Sequence, residues 1–428
     1  MNEMIKRIAP VTRVKADIRL PGSKSITHRA LLIAALGGGV SRIDNPLQAD
    51  DTFLTAQALE KLGAGIRWDD DGTVTVTPPA ARWKSPESPI MLGNSGTSMR
   101  LLPGVASAGE GRFVFDGTGR LRERPIGPLL DALAQLGVRF KYLGKEGFPP
   151  FEIESGGLDG GDVFIDASSS SQFLSSILLA APLARSNVRV QWGKEIASFP
   201  YVGITLEMMR RAGIQFEWLG GDRVEITAPG SYQSGQYPVE GDCSSASYFW
   251  AAAAITGGEV FTVPVAPCPL QGDCGFLGVL EKMGCRVERG DGGARVFGPE
   301  RLMAVDLDMN EMPDMVPTLA VAAAFAEGVT RIRNVAHLRI KESDRLSAVA
   351  SELLKLGTKV REYPDGLEIE GGPIRGCALQ TYDDHRIAMA FALTGLRTPG
   401  VEIHGAETVA KSFPNFWEKF KLLSHDTV

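Results

Sequence analysis

The strongest constraint on the fold is an internal repeat with a period of about 70 to 75 residues. Each copy begins with a short polar loop that leads directly into a helix rich in Ala and Leu. The copies begin at Pro21, Gly93, Asp166, Gly241, Met309 and Tyr382. Because these helices are apolar nearly all round, we expect each one to be buried at the centre of a domain.

A second, amphipathic helix is predicted within each repeat. The predicted segments are residues 55–66, 128–140, 204–216, 275–287, 344–360 and 413–423. Glycines stand where a helix C-terminus is expected, at Gly63, Gly137, Gly213, Gly284 and Gly357. The segments that follow the helices, such as residues 111–115 and 401–403, alternate in a way that is typical of strands. The chain is therefore predicted to contain six α/β units.

The number of units predicts the number of domains. Six units in 428 residues exceed the size of one hydrophobic core, so we expect two α/β domains of three units each. All the polar loops precede buried helices, and a helix N-terminus favours anions through its free N–H groups and its dipole. If the two domains face each other, these helix starts would converge on one cleft.

The first polar loop and helix start, residues 21–32, carry two cations. Lys24 and Arg29 stand among hydroxyl side chains where the helix begins, which indicates a phosphate or carboxylate site. The alternative is a solvated helix start with two surface charges.

Two further loops carry similar residues. Arg100 follows residues 94–97, where Gly96 would let backbone N–H groups approach a ligand. Residues 120–125 form a basic cluster before a helix, although a solvated turn would look the same. Ser168–Ser171 with Gln172 could donate hydrogen bonds to a polyhydroxylated ligand, or could merely cap a helix.

The last third of the chain combines cations with carboxylates. Residues 337–345 alternate acid and base, which in many proteins marks a solvated helix face. Asp314, however, has apolar sequence neighbours, and desolvation there would raise its pKa and suit it to proton transfer. Residues 383–386 and 411–414 add further charges. Many cations, few carboxylates and no metal cluster indicate two anionic substrates with acid/base chemistry between them.

Composition excludes several classes of protein. The net charge of -6 and the absence of a long basic run argue against a nucleic-acid partner. Five cysteines without a CxxC pair, with five histidines, argue against zinc, and their odd number predicts reduced thiols in the cytoplasm. No signal peptide is expected at the N-terminus. The longest apolar runs, such as residues 248–255, are far shorter than the roughly 20 residues of a membrane span.

Ten motifs in order resemble those of the 5-enolpyruvylshikimate-3-phosphate synthase family, across almost the whole chain. They are PGSKSITHRALL (21–32), GNSGTSMR (93–100), RLRERP (120–125), SSSQFLSS (169–176), SFPYV (198–202), EGDCSSASYF (240–249), MPDM (312–315), LRIKESDRL (338–346), DDHRIAMA (383–390) and KSFPNF (411–416). Ten motifs in one order make the resemblance highly specific.

The resemblance implies a two-domain fold with three inverse α/β units per domain, buried parallel helices and outer sheets. It places one domain at residues 23–239 and the other at residues 1–22 and 240–428, with the active site in the cleft between them. It also implies a reaction between shikimate 3-phosphate and phosphoenolpyruvate that releases phosphate and needs no cofactor and no metal. Glyphosate is the expected inhibitor, and we expect a cytoplasmic monomer without a nucleic-acid or membrane partner.

The resemblance also implies roles for individual residues. Those similar to the family's catalytic and supporting residues are Lys24, Asp242, Asp314, Glu342 and Asp384. Those expected to bind shikimate 3-phosphate are Lys24, Ser25, Arg29, Ser170, Ser171, Gln172, Ser198, Tyr201, Asp314, His337 and Lys341. Those expected to bind phosphoenolpyruvate are Lys24, Gly96, Thr97, Arg100, Arg124, Gln172, Arg345, Arg386 and Lys411.

Two positions depart from the family pattern. His337 stands where many members carry Asn, and Leu101 follows Arg100 where many carry Pro. The first departure concerns a substrate contact, and the second concerns the helix beside the inhibitor site.

Three alternative functions fit the sequence less well. The sister enolpyruvyl transferases that act on UDP-N-acetylglucosamine usually carry Lys-Asn in the first loop and a Cys on a mobile loop. This chain has Lys24-Ser25 and no Cys before Cys243. A sliding-clamp-like ring of six α/β repeats would carry Lys and Arg on its inner helices to face DNA phosphates, whereas these helices are rich in Ala and Leu. A non-catalytic anion-binding protein would not require carboxylates beside the cations.

Overall fold

The chain folds into two compact units. The structure, a computed structural model, describes residues 3–80, 83, 85–290 and 292–424. Lys24–Val239 form one unit, called here the continuous unit, and Met1–Ser23 with Glu240–Val428 form the other, called the split unit. Residues 1, 2 and 425–428 of the second predicted domain lie outside the described residues.

The helices follow the predicted two-helix repeat. In chain order they are α1 (Lys24–Ala35), α2 (Asp50–Lys61), α3 (Gly96–Ser107), α4 (Gly127–Gln135), α5 (Ser171–Ala180), α6 (Pro200–Arg211), α7 (Cys243–Thr256), α8 (Phe276–Lys282), α9 (Val316–Ala324), α10 (Arg345–Lys355), α11 (His385–Ala392) and α12 (Phe416–Lys421). Every residue of α3, α7, α9 and α11 is buried. In α1 and α5 the same holds except at Ser25 and Gln172. The prediction of buried first helices is therefore confirmed.

The strands are short and lie between the helices. In chain order they are β1 (Ile5–Ile8), β2 (Lys15–Arg19), β3 (Ser41–Asp44), β4 (Gly65–Trp68), β5 (Val74–Thr77), β6 (Ile90–Met91), β7 (Glu110–Asp116), β8 (Arg139–Tyr142), β9 (Phe151–Gly156), β10 (Gly161–Ile165), β11 (Val188–Trp192), β12 (Phe216–Gly220), β13 (Arg223–Ile226), β14 (Gln236–Pro238), β15 (Glu259–Val263), β16 (Arg286–Gly290), β17 (Gly293–Phe297), β18 (Leu302–Met303), β19 (Asp306–Asp308), β20 (Ala326–Glu327), β21 (Val329–Arg333), β22 (Lys359–Tyr363), β23 (Gly366–Glu370), β24 (Ala378–Gln380) and β25 (Val401–His404). The predicted strands at residues 111–115 and 401–403 are among them.

The same sheet topology recurs along the chain, so the sequence repeat corresponds to a repeated sheet. In the described part of the chain, five sheets each join two parallel strands and then add two antiparallel strands. The orders are β14-β3-β5-β4, β6-β7-β9-β8 and β10-β11-β13-β12 in the continuous unit, and β2-β15-β17-β16 and β19-β21-β23-β22 in the split unit. The sheet β24-β25-β1 has the same parallel pair and one antiparallel strand, supplied by the N-terminus.

Strand burial shows that the sheets cover the helices. Along β11, Val188, Val190 and Trp192 are buried, whereas Arg189 and Gln191 between them are exposed. Alternation of this kind places one face of a sheet on the core and the other in water.

The second helix of five units ends at a glycine in the left-handed conformation. Gly63, Gly137, Gly213, Gly284 and Gly357 have φ values of 105°, 89°, 87°, 102° and 92°. Residues with a Cβ rarely adopt this conformation, which explains why glycine stands at each of these helix ends.

The prediction that the cysteines are reduced is wrong for one pair. Cys243 at the start of α7 is paired in a disulfide with Cys274, with 5.3 Å between their Cα atoms. Cys268, Cys285 and Cys377 are free thiols. The two paired cysteines are 31 residues apart, and only the packing of the 3₁₀ segment Gly272–Gly275 against α7 brings them together.

Candidate functional site

The start of α1 is buried in the continuous unit. Lys24 and Arg29 are 9% and 1% exposed, so the alternative of two surface charges is wrong. The Lys24 ammonium lies 3.4 Å from a carboxylate oxygen of Asp51, at the start of α2. An ion pair thus joins the start of α1 to the start of α2.

Arg29 is held by neutral oxygens. Its guanidinium donates to the carbonyls of Ser25 and Tyr201 and to the hydroxyls of Thr205 and Ser175, at 2.7 to 3.2 Å. Burial lowers the pKa of Arg29 to about 10, so the side chain keeps its charge at neutral pH. Arg29 therefore supplies a fixed positive charge in the second turn of α1.

The starts of α3 and α5 meet through side chains. The Arg100 guanidinium lies 3.3 Å from the Gln172 amide oxygen and 3.4 Å from the Ser170 hydroxyl. The Gln172 amide nitrogen donates to the Thr97 hydroxyl at 3.1 Å. Arg100 also lies over the ring of Phe173, at 5.3 Å from its centroid. Residues predicted from two separate motifs thus form one cluster.

Gly96 lies directly against Arg124. A Cβ built on Gly96 would collide with the Arg124 guanidinium, which is 4% exposed. Arg120 and Arg122 instead form surface pairs with Glu123 and Asp116. The solvated-turn interpretation of residues 120–125 is therefore right for two arginines and wrong for Arg124.

The remaining predicted residues of the continuous unit lie at helix starts. Ser170 caps α5, where its hydroxyl accepts from the Gln172 backbone N–H at 3.3 Å, and Ser171 is the first residue of that helix. Ser198, 6% exposed, has a φ of 60° two residues before the start of α6, which contains Tyr201. Positive φ is uncommon for a serine and fixes the direction in which this loop enters the helix.

Leu101, where many family members carry proline, is a core residue of α3. It is 1% exposed, and its backbone carbonyl accepts from the Ser176 hydroxyl at 3.0 Å. The helix accommodates a proline two residues later, at Pro103.

Arg345 is the centre of a charge network in the split unit. It is 2% exposed and donates at 2.8 Å to one carboxylate oxygen each of Asp314, Glu342 and Asp384. Burial opposes its charge, but Asp384, Glu342 and Asp314 together raise its pKa above the ordinary value. Because most of residues 337–345 are buried or half-buried, the solvated-face alternative for this segment is wrong.

Asp314 has apolar neighbours in sequence but cationic neighbours in space. Its second oxygen accepts from Arg386 at 2.5 Å, opposite the bond from Arg345. The side chain is 19% exposed. The predicted desolvation is thus countered by two guanidinium groups, one bonded to each carboxylate oxygen. Asp314 nevertheless keeps part of its side chain accessible.

Asp384 and Asp242 support helix starts. Asp384, fully buried, caps α11 by accepting from the Arg386 backbone N–H at 2.9 Å, and it also accepts from the Ser343 hydroxyl at 3.1 Å. Asp242 caps α7 by accepting from the Ser245 backbone N–H at 2.8 Å. Both carboxylates lie where a helix dipole favours negative charge.

Glu342 is buried between two cations. It is 7% exposed, and the Lys411 ammonium lies 3.8 Å from the oxygen that does not contact Arg345. His337, 8% exposed, lies in the 3₁₀ segment Ala336–Ile340, and Lys341 follows that segment at once. The structure thus places four motifs of the split unit around one group of charges.

Several site residues were not predicted from the sequence. Asp51 pairs with Lys24, and Ser175 and Thr205 hold Arg29. Asp51 follows another aspartate at the start of a helix, which is a common capping pattern and gives no sign of a lysine partner. Ser343 precedes α10 and donates to Asp384, whereas Asp344 caps the helix.

This arrangement can hold anions and move protons. Lysine and arginine groups at helix starts stabilise phosphate and carboxylate groups, and two carboxylates, the partly accessible Asp314 and the buried Glu342, lie among cations in the split unit. Within the described residues, no group of three or more His, Cys, Asp or Glu side chains could hold a metal ion. In the same residues, no helix is long and apolar enough to cross a membrane.

Known proteins are similar to this chain in sequence and in fold. The sequence profile of EPSP synthase (3-phosphoshikimate 1-carboxyvinyltransferase) matches residues 8–420. A protein named 3-phosphoshikimate 1-carboxyvinyltransferase from Syntrophobacter fumaroxidans is 57% identical, over 98% of this chain and 100% of its own. A protein of the same name from a Sulfurovum species is 44% identical, over 97% of this chain and 98% of its own.

Solved structures agree with this match. An EPSP synthase from Acinetobacter baumannii superposes with a TM-score of 0.81 at 30% identity, covering 99% of this chain and 98% of its own. The enolpyruvyl transferase NikO from Streptomyces tendae has a TM-score of 0.80 at 19% identity, covering 99% and 98%, which shows a shared fold alone. Since the family profile matches residues 8–420 and a relative of that name is 57% identical over 98% of the chain, this chain belongs to the EPSP synthase family.

Proposed function

We propose that the protein transfers the enolpyruvyl group of phosphoenolpyruvate to the 5-hydroxyl of shikimate 3-phosphate, releasing phosphate. The observation that carries the proposal is the 57% identity, over 98% of the chain, to a protein named for this reaction. The charge clusters of the two units support it, because both substrates are anions that need cationic partners.

Residues of both units are proposed to bind shikimate 3-phosphate. They are Lys24, Ser25, Arg29, Ser170, Ser171, Gln172, Ser198 and Tyr201 in the continuous unit, and Asp314, His337 and Lys341 in the split unit. The hydroxyl and amide groups suit a polyhydroxylated ring, and the buried charge of Arg29 attracts its anionic groups. We propose that the active site lies in a cleft to which both units contribute.

A second set is proposed to bind phosphoenolpyruvate. It contains Lys24, Gly96, Thr97, Arg100, Arg124 and Gln172 in the continuous unit, and Arg345, Arg386 and Lys411 in the split unit. The contact between Gly96 and Arg124 supports this role, because a glycine there leaves room for the guanidinium at the start of α3. Anion binding at such a start also gains from the helix dipole.

The proposed reaction needs two opposite proton transfers. In the addition step, the 5-hydroxyl oxygen attacks C2 of phosphoenolpyruvate and loses its proton while C3 gains one, which gives a tetrahedral intermediate. In the elimination step, C3 loses a proton, the C–O bond to phosphate breaks and the vinyl group is restored. No covalent bond to the enzyme and no cofactor enters this scheme.

Carboxylates of the split unit are the proposed proton carriers. Asp314, hydrogen-bonded between two guanidinium groups and partly accessible, is the proposed base for the 5-hydroxyl. Glu342 and Lys24 are the proposed donors to C3, and Lys24 also stabilises phosphate charge. Asp384 and Asp242 support the site by capping helices.

Phosphate release tests the proposal directly. We expect phosphate to be released from phosphoenolpyruvate only when shikimate 3-phosphate is present, and a chelator should not change the rate. Turnover with UDP-N-acetylglucosamine as the acceptor would instead assign the chain to the sister reaction. Failure with both acceptors would favour a non-catalytic anion-binding protein.

We further propose that the enzyme is a cytoplasmic monomer. The cysteines no longer support this location, because Cys243 and Cys274 are paired, so it rests on the family's biosynthetic role. Light scattering should give the mass of one chain, and a dimer mass would contradict the proposal.

A further inference from the structure

A buried carboxylate outside the recognised motifs contacts the segment that carries Asp384 and Arg386. Glu352 lies on α10, is fully buried and has its carboxylate turned toward residues 380–382. One of its oxygens accepts from the Gln380 backbone N–H at 3.0 Å. The other accepts from the Tyr382 hydroxyl at 2.6 Å and from the Lys355 ammonium at 2.7 Å.

The segment that Glu352 contacts has an unusual backbone. Tyr382 and Asp383 have φ values of 54° and 56°, so two successive residues other than glycine adopt the left-handed conformation. Such a conformation persists only where surrounding contacts compensate for it. The bonds from Glu352 to Gln380 and Tyr382 are contacts of this kind, and the bond from the Asp384 N–H to the Thr381 carbonyl, at 2.9 Å, is another.

A second side chain of α10, Arg345, also contacts the segment that contains Tyr382 and Asp383. Arg345 precedes Glu352 by seven residues, or about two helical turns, so both side chains leave one face of the helix. Arg345 bonds to Asp384 at the end of the segment, and Glu352 bonds to Gln380 and Tyr382 at its beginning. The helix therefore holds both ends of the left-handed turn.

We propose that Glu352 is a positioning residue, which fixes the turn at Tyr382 and Asp383 and thereby sets Asp384 and Arg386 in place. Its hydrogen bonds go to the Gln380 backbone N–H, the Tyr382 hydroxyl and the Lys355 ammonium, and none of these residues is assigned to a substrate, so it acts through the turn. Its consequence for turnover rests on the proposed function, in which Arg386 binds phosphoenolpyruvate.

Glu352→Gln is the sharpest test because it keeps the shape of the side chain. An amide has a single acceptor atom, so either Gln380 or Tyr382 must then face an NH₂ group. Tyr382→Phe removes only one of the bonds. Lys355→Met is the matched control, since it removes a partner of the same carboxylate and leaves the turn untouched.

We expect the KM for phosphoenolpyruvate to rise about tenfold in Glu352→Gln and about threefold in Tyr382→Phe, as expected for the loss of a bond to a charged group. The KM for shikimate 3-phosphate should stay within about twofold of the wild-type value, and Lys355→Met should change neither constant by more than that. A lower melting temperature with unchanged KM values would overturn the proposal, because it would show a purely structural role.

Hydrogen exchange gives a readout that is independent of turnover. Amide protons of residues 380–386 should exchange at least about tenfold faster in Glu352→Gln than in the wild type or in Lys355→Met. Unchanged exchange would overturn the positioning role even if KM rose. If the wild type released no phosphate at all, the proposed function would fail, and the exchange experiment would still test Glu352.

Discussion

At the scale of the residue, substitution of either Asp314 or Glu342 should slow the chemical step strongly. We expect Asp314→Asn and Glu342→Gln each to lower the single-turnover rate about 10²- to 10⁴-fold, the usual cost of removing a positioned acid or base. Affinity for shikimate 3-phosphate should fall little, because the hydroxyl and arginine contacts of the continuous unit remain. Rates at saturating substrate, set beside acceptor affinity, separate these two effects.

Glu362→Gln is the matched control for both variants. Glu362 also pairs with an arginine, Arg339, at 2.7 Å, but its side chain is 35% exposed and lies outside the proposed site. A near-normal rate in Glu342→Gln would remove that residue from the acid/base role. Weakened folding with a normal rate would mean that both carboxylates only pair with arginines.

Gly96→Ala should separate inhibitor binding from substrate binding. The added methyl group would displace the Arg124 guanidinium, the far end of a flexible side chain, rather than the helix. We expect glyphosate, the longer of the two anions, to lose at least about tenfold in affinity, and phosphoenolpyruvate to lose less. Inhibition constants and KM values for the variant and the wild type provide the measurement.

Gly119→Ala is the control, because a Cβ there meets no atom within 4 Å. It should leave both constants unchanged. Equal losses for inhibitor and substrate in Gly96→Ala would contradict the prediction that this position separates the two anions. A wild type that ignores glyphosate at millimolar concentration would refute the assignment of this pocket.

At the scale of the element, α6 shows how surface charge contributes to stability. Glu207 accepts hydrogen bonds from Arg210 and Arg211, which lower its pKa to about 2 from 4.5. A lowered carboxyl pKa means that the stabilisation is fully present above pH 4.5 and is lost as the pH falls toward 2. Because both arginines are at least half exposed, we expect less than about 1 kcal/mol from the two pairs.

Urea unfolding of the wild type and Glu207→Gln checks this expectation. The free energy of unfolding of the variant should be lower than that of the wild type by up to about 1 kcal/mol at pH 7, and this difference should be smaller at pH 3. An equal difference at both pH values would show that the charge of Glu207 does not cause it. Enzyme activity at pH 7 should not change, since Glu207 pairs with Arg210 and Arg211 and lies outside the proposed site.

At the scale of the whole molecule, the two units should approach each other when the acceptor binds. Each unit carries its own cations, with Lys24, Arg100 and Arg124 in one and Arg345, Arg386 and Lys411 in the other. The chain passes between the units only at residues 23/24 and 239/240. An anionic ligand that contacts both sets would cancel their repulsion and shift the population toward a closed form.

Small-angle scattering with and without shikimate 3-phosphate tests this closure. We expect a smaller radius of gyration with the ligand, and no change with shikimate, which lacks the phosphate. An unchanged radius with saturating shikimate 3-phosphate would contradict the prediction.

The repeat, the helix types and the helix ends were predictable from the sequence because each depends on local physics. An all-round apolar helix must be buried, and an amphipathic helix must face water on one side. Glycine marks the left-handed residue after a helix, as at Gly63 and Gly357. The ordered motifs likewise predicted which loops carry the charges of the site.

Only the tertiary structure decided which charges are partners. The sequence surrounds Asp314 with apolar residues, whereas the fold places Arg345 and Arg386 against it. It gives no sign that Cys243 pairs with Cys274 or that Glu352 holds Tyr382. These partners are 30 to 72 residues apart, and their contacts depend on how whole helices pack. Periodicity reports which face of a helix is buried, but not what that face meets.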